Sequence, residues 1–556
     1  MELDTEIIII GAGMSGLGLA VQLVRQYGHR NFELIEKADH IGGTWWANSY
    51  PGCGVDVVAH YYAYSFCLNP NWSRKYPLQP EILEYYKHVA DKYDIEKHAR
   101  FQSIVTSAYW DESSGTWLVS VKDLKTSETY ERRCKILVSA AGLLSQPNEC
   151  DIPGVSSFQG RIFHTAEWDH SFSWKDKDMV VIGNGCSATQ VVPTVSQGDG
   201  AVKKVTQFAR QAQWIFERPN PEYSSLLKWT MKWVPFAMRS YRLLQNYYSE
   251  WDFKSFPTES GAPIRKLYAD YHGAYIQRTA PAKYLEFLLP KTEVGCKRRV
   301  MDTDYLECLH RDNVELVYKD PIEEIVENGV RTKSGRFVNA DAIVLANGFR
   351  IEKPLLTLNL RGQGGVTVAD HWEKFSKGSA SAYFGTCLSD FPNFFIIMGP
   401  NTASGHGSVT YTSECQIGFI LRVIKPILDA LKAKRSVLPV IRQKTDVVKL
   451  KPEAEQADID MVQDRLKDLV WSSGCTSWAL DPQTGRNTTM YPDFQYKYWL
   501  RSLFISWRDF ELSTSKPTAT ALAMKSPGVG SWLTVSTSVA VAAYFMYQTF
   551  PLNRLR

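Results

Sequence analysis

The first regular feature of the chain is a run of four isoleucines, residues 7–10, with no polar break. So short and wholly apolar a segment fits a parallel strand covered on both faces. It leads into Gly11-Ala12-Gly13-Met14-Ser15-Gly16, then residues 17–26 read as a helix and 32–36 as the next strand. That order gives the glycines a mechanism: they allow a tight turn and close backbone approach, and the helix start favours a pyrophosphate. Ser15 adds a small polar group there, and Glu36 closes the second strand, about twenty residues past the glycines, where an acid can bond ribose hydroxyls.

The pattern then repeats. Residues 133–142 predict a buried strand ending in a small-residue turn, and 143–153 a crossover. Residues 179–182 open a second strand–turn–helix unit through Gly183-Asn184-Gly185-Cys186-Ser187-Ala188, with Thr189 and Gln190 following on the helix. Its next strand, 203–208, ends at Ala209-Arg210-Gln211, with an arginine where an acid would otherwise sit. A cation at that position suits a 2′-phosphate and favours NADP(H) over NAD(H).

Residues 219–290 break the α/β rhythm. Leu226, Trp229 and Trp233 fall on one helical face, as do Leu244, Tyr247, Tyr248 and Trp251. A helical insert able to roof an active site is expected, with these stripes serving helix packing. Strands resume at 314–318 and 342–348, and 394–399 returns the chain to its first domain. The fold class is α/β, with two Rossmann-like dinucleotide-binding domains, the helical insert and a C-terminal apolar helix. The expected organisation is 1–150, first part of one nucleotide domain; 151–345, the second nucleotide domain with its insert; and 346–515, the return. A linker follows at 516–527, then an apolar segment at 528–550.

Composition adds limits. At 556 residues the chain exceeds one ordinary core. A net charge of +4 without a basic cluster excludes a nucleic-acid footprint. The ten cysteines are scattered without metal-ligand spacing, so no metal is expected and they read as reduced thiols in a cytosol-facing protein. No amino-terminal signal peptide is evident. Residues 528–550 carry no charge over 23 positions and are flanked by Lys525, Arg554 and Arg556. That length suits a single-pass membrane anchor, with a surface-packed or interfacial helix as the alternative.

Between the two glycine loops lies Phe158-Gln159-Gly160-Arg161-Ile162-Phe163-His164-Thr165-Ala166-Glu167-Trp168-Asp169. This segment resembles the fingerprint of Baeyer–Villiger monooxygenases, with every fixed position present. Four further motifs fit the same family: Gly42-Gly43-Thr44-Trp45-Trp46-Ala47-Asn48-Ser49-Tyr50-Pro51-Gly52-Cys53-Gly54-Val55-Asp56, His60-Tyr61-Tyr62-Ala63-Tyr64-Ser65-Phe66, Gly295-Cys296-Lys297-Arg298 and Cys475-Thr476-Ser477-Trp478. The resemblance spans residues 5 to about 510. Departures are Ala346-Asn347-Gly348 at a strand end, the loop after Trp478, and the apolar tail, which is similar to that of some fungal secondary-metabolism members.

The resemblance implies FAD on the first unit, with Gly11, Gly13, Ser15 and Gly16 at its phosphates and Glu36 at its ribose. Thr44, Trp45, Trp46 and Ala47 would line the flavin, and Tyr62 and the Val105 backbone would add contacts. NADPH would sit on Asn184, Gly185, Cys186, Ser187, Ala188, Thr189 and Gln190, with Arg210, Gln211 and Lys297 at its 2′-phosphate. Gly54, Val55 and Asp56 would lie where nicotinamide meets flavin. The implied reaction captures O2 as a flavin peroxide that attacks a ketone and yields an ester or lactone. Arg298 is the candidate cation for the negative oxygens, and Asp56 its partner. His164 and Trp168 are expected to couple domain movement to cofactor. The substrate expected is a bulky apolar ketone. Competing readings are a monooxygenase acting on nitrogen or sulfur, and a non-catalytic, membrane-tethered nucleotide-binding protein.

Overall fold

In the computed structural model, which describes residues 2–351, 354–435, 445–475 and 477–514, two parallel five-stranded sheets carry the two glycine loops. The first runs Phe394–Ile396, Ile136–Ser139, Ile7–Ile10, Phe32–Ile35, Ala99–Arg100. Ile7 pairs with both Phe32 and Ile136, so Ile7–Ile10 is central and buried throughout, which explains its unbroken apolar run. The late strand Phe394–Ile396 adds to the edge beside Ile136–Ser139.

The second sheet runs Val314–Val317, Lys204–Phe208, Asp178–Ile182, Ala342–Leu345, Arg161–His164. It is parallel throughout. The mixed α/β class expected from the pattern therefore holds. Two details differ. The single strand expected over 133–142 is split, because Thr129–Cys134 belongs to an antiparallel meander with Ser103–Asp111 and Thr116–Asp123, and Ile136–Ser139 alone enters the parallel sheet. The aromatic stripes of the insert, expected to pack, face outward: Trp229, Trp233, Tyr247 and Tyr248 are exposed on the helices Ser225–Trp233 and Ala237–Asp252.

Among the described residues no helix is long and apolar enough to cross a membrane. The expected linker at 516–527 and apolar helix at 528–550 lie outside the described residues.

The reading of all ten cysteines as free thiols is corrected. Cys296 and Cys475 form a disulfide across 179 residues of sequence, whereas the other eight, Cys186 among them, are free. Spacing along the chain carries no trace of a pairing made by two distant loops meeting.

One buried polar cluster gives a pH prediction. His371, on the helix Val368–Ser376, is fully buried, with Nδ1 2.9 Å from Asp390 and Nε2 2.8 Å from Glu455. Burial alone would lower its pKa, but hydrogen bonds to the two carboxylates outweigh it and push the ring up to about 8. A pKa raised in the folded state gives stability that is complete below about pH 6.5 and is lost as pH rises through 8, roughly 2 kcal/mol. Urea unfolding from pH 6 to 9 should show that loss, and His371→Gln should flatten it.

Candidate active site

The glycine loops are shaped by close approach. Gly11 has φ +102°, and a Cβ there would lie 2.7 Å from the Ala140 carbonyl oxygen. A Cβ on Gly16 would fall 1.9 Å from the Gly11 oxygen, so the first helical turn seats directly on the loop. Gly13 meets Gly43 backbone to backbone, with a Cβ on Gly43 only 2.7 Å from the Gly13 Cα. Two loops thus present bare backbone to one another, as a phosphate cradle requires. Ser15 is buried and accepts a 3.1 Å bond from Ser413.

Glu36 is buried beneath this cradle. Its Oε2 accepts the Ala12 N–H at 2.7 Å and its Oε1 the Ala38 N–H at 2.9 Å. Each oxygen keeps a second lone pair for a ribose hydroxyl. Thr44–Ala47 forms one helical turn, where the Trp45 indole donates to the Tyr62 hydroxyl at 3.0 Å and Trp46 stacks on His40. Val105 is buried in the meander, two residues past Ser103, whose N–H bonds the Glu36 carbonyl at 2.9 Å.

In the second unit Gly183, at φ +122°, would drive a Cβ to 2.3 Å from the Ala346 oxygen, whereas a Cβ on Gly185 would meet open space. Cys186, Ser187, Ala188, Thr189 and Gln190 start the helix Cys186–Val195. Ala188 and Thr189 face inward, and Thr189 bonds back to the Gly185 and Cys186 carbonyls. Gln190 spans the two units: its Oε1 accepts the Tyr50 hydroxyl at 2.8 Å and the Gly54 N–H at 3.3 Å, and its Nε2 donates to the Gly54 carbonyl at 3.1 Å. Asn184 donates to the Gln211 carbonyl at 2.7 Å, Lys297 donates to the Gln211 side chain, and Arg210 stands exposed beside them.

Between the loops, Arg298 pairs with Asp56, the two side chains 40% and 24% exposed. Burial would raise the Asp56 carboxyl, but the Arg298 guanidinium, with Arg218 behind it, holds it below the usual carboxylate range. Asp56 in turn raises the pKa of Arg298 further above its ordinary value. Val55 is buried, and its carbonyl accepts from Arg218 at 2.9 Å. The result is a permanent, partly open positive charge at the point where the Gly54–Asp56 loop faces the second glycine loop.

The chain as a whole is similar to known proteins. The flavin-binding monooxygenase-like family model covers residues 4–246. The FAD-binding monooxygenase ktnD of Aspergillus niger is 32% identical over 556 residues, 97% of this chain and 88% of that protein. A Baeyer–Villiger monooxygenase of Pseudomonas aeruginosa is 32% identical over 520 residues, 93% of this chain and 92% of the relative. The chain belongs to the Baeyer–Villiger monooxygenase family. Among solved structures, closed cyclohexanone monooxygenase is 25% identical with a TM-score of 0.78, over 92% of this chain and 100% of that one. OTEMO in complex with FAD and NADP gives 25% and 0.77 over the same shares.

In this family member the loop carrying Arg298 is held from four sides by consecutive residues. Cys296 is bridged to Cys475, Lys297 reaches Gln211, Arg298 reaches Asp56, and Arg299 makes a two-pronged pair with Asp252 of the insert. Arg299 also lies over Phe216 and Phe256, 5.1 and 5.5 Å from the ring centroids. Sequence reasoning missed Arg218, Arg299 and Asp252. The adjacency of Arg298 and Arg299 was the one available signal, and it does not say which partner each takes.

His164 is placed by the fold at the end of the strand Arg161–His164, buried. Its Nδ1 accepts the Ala166 N–H at 3.0 Å, so Nε2 is the donor to the Gly348 carbonyl at 3.1 Å. Burial lowers the ring's pKa. Both nitrogens are consumed in pinning the segment that leaves the second sheet, where Asn347 donates to the Glu149 carbonyl and Asn148 to the Asn347 carbonyl, each at 3.0 Å. Trp168 is buried edge-on to Phe163.

Proposed function

We propose that this chain is an FAD-dependent, NADPH-consuming monooxygenase that inserts one oxygen atom of O2 beside a ketone carbonyl, giving an ester or lactone. The observation that carries the reading is the Arg298–Asp56 pair at the junction of two nucleotide-binding loops. The residues fit FAD: the Gly11–Gly16 turn brings the start of the helix Met14–Tyr27 to the loop, where its free N–H groups would meet a pyrophosphate, and Glu36 is held ready for a ribose. FAD, once reduced by NADPH, supplies the activation of O2. The chain's part is positioning and electrostatics. Arg298 offers a planar fork of donors to negative charge developing on oxygen during insertion, and Asp56 fixes the direction of that fork. Gln190 keeps the two nucleotide units in register across the site.

Arg210, Gln211 and Lys297 are the proposed 2′-phosphate corner. Loss of a charge-assisted bond there costs about 1.5–3 kcal/mol, so Arg210→Ala should raise the KM for NADPH roughly 10- to 100-fold and leave NADH nearly unaffected. Steady-state kinetics with both nucleotides checks this. The partly exposed Trp478 supports a bulky apolar ketone as substrate. The charge-free stretch 528–550 supports attachment of the catalytic part to a membrane at its C-terminus.

The deciding experiment is incubation of the yellow protein with NADPH, O2 and a panel of ketones, sulfides and tertiary amines. Ester or lactone with one added oxygen is expected. Products confined to sulfoxides or N-oxides would overturn the reading.

A further inference from the structure

The helical insert is amphipathic in the reverse sense of an ordinary surface element. The helix Ser225–Trp233 buries Met231 alone, and the helix Ala237–Asp252 buries none of its residues. The attachment of this pair to the body is polar. Arg242 donates to the carbonyls of His60 at 3.0 Å, Tyr61 at 3.1 Å and Ala63, and pairs with Glu414 at 3.2 Å. Ser249 donates to the His406 carbonyl, and Glu250 accepts the N–H groups of Gln495 and Tyr496 at 3.1 Å each.

With the polar groups turned inward, the outward face is apolar. Leu226 is 73% exposed, Trp233 63% and Phe236 77%, and Trp229, Leu243 and Tyr247 continue the surface. Phe236 sits between the two helices at φ +63°, a left-handed conformation that glycine adopts freely and a bulky residue does not. A contiguous surface of this kind on a soluble protein marks an interaction site.

Charge selects the occupant. Residues 223–249 contain no Asp or Glu, while Lys228, Lys232 and Arg239 stand among the aromatic side chains. Lys232 lies 5.1 Å from the Trp233 ring centroid. Aromatic and leucine side chains flanked by cations match the headgroup boundary of an anionic bilayer, where rings sit at the interface and cations meet lipid phosphates. We propose that the hairpin Ser225–Trp233/Ala237–Asp252 docks on a lipid surface carrying anionic headgroups, with Trp229, Trp233 and Phe236 entering the interface. This docking is separate from any attachment through 528–550 and independent of which substrate is oxidised.

Hydrogen exchange of the full-length protein, with and without vesicles, tests it at the hairpin itself. Phosphatidylcholine vesicles containing phosphatidylserine should slow exchange across 225–252 by about ten-fold, and phosphatidylcholine alone by much less. The triple variant Trp229→Ser/Trp233→Ser/Phe236→Ser should lose this protection while keeping its bound-flavin absorbance. Lys228→Glu/Lys232→Glu should lose the preference for anionic vesicles. Unchanged exchange on adding vesicles, or equal protection in the triple variant, overturns the proposal. So does protection that grows with protein concentration without lipid, because the face would then be an interface between copies.

Discussion

Arg298→Ala is expected to abolish ester formation while NADPH still reduces the flavin within a few-fold of the normal rate. Arg298 contacts Asp56 and lies near Cys186, but the loops that would hold the nucleotides are shaped by glycine backbones and by Glu36, none of which depends on the guanidinium. Removing a preorganised donor from a site of developing negative charge costs about 10²–10³ in rate, and loss of a full charge at a partly desolvated position lies at or beyond the upper end. NADPH should then be consumed with release of hydrogen peroxide in place of ester. Arg298→Lys keeps a charge but not the fork, so partial recovery is expected. Asp56→Ala should follow Arg298→Ala with a smaller loss, because it removes the positioning partner and leaves the cation. Stopped-flow reduction and product analysis on the same samples separate the two half-reactions. Normal ester yield in Arg298→Ala would remove the guanidinium from the mechanism.

Those elements whose cause is local were legible in the sequence. The isoleucine run Ile7–Ile10 needs only burial on both faces, and Gly11, Gly16 and Gly183 need only a backbone neighbour within reach of a Cβ. The meander was not legible, because a register shift between Val105 and Ser107 breaks the alternation of its first strand. Asp56 and Arg298 lie 242 residues apart, and their pairing came from the motifs around them, since spacing holds no such information. Arg299 with Asp252 and Arg218 with the Val55 carbonyl are contacts of the same long-range kind without a motif to flag both partners, and although Cys296 and Cys475 each lie in a family motif, nothing in either motif joins the two. The insert misled in a further way: its apolar stripes have the helical period of buried faces, but Arg242, Ser249 and Glu250 take the inward side. Periodicity identifies a helix's apolar face and says nothing about what covers it.

Reduction of the Cys296–Cys475 bridge should lower both stability and coupling of NADPH use to product. Cys296 is buried two residues before Arg298, and Cys475 lies three residues past the segment Val470–Ser472, whose Trp471 packs on Phe256. The bridge therefore ties the Arg298 loop to the C-terminal part of the site, opposite the anchors supplied by Asp56 and Asp252. A cross-link closing so long a loop stabilises by about 2–5 kcal/mol, mainly by restricting the unfolded chain. Cys475→Ser and dithiothreitol-treated protein should thus unfold at lower urea. Below that transition they should bind flavin normally and form ester several-fold less efficiently, since a displacement near 1 Å at a positioning group is enough for such losses. Reoxidation should restore the treated wild type and leave Cys475→Ser unchanged. If instead the variant keeps full coupling while losing stability, the bridge holds the fold and the ion pairs alone aim Arg298.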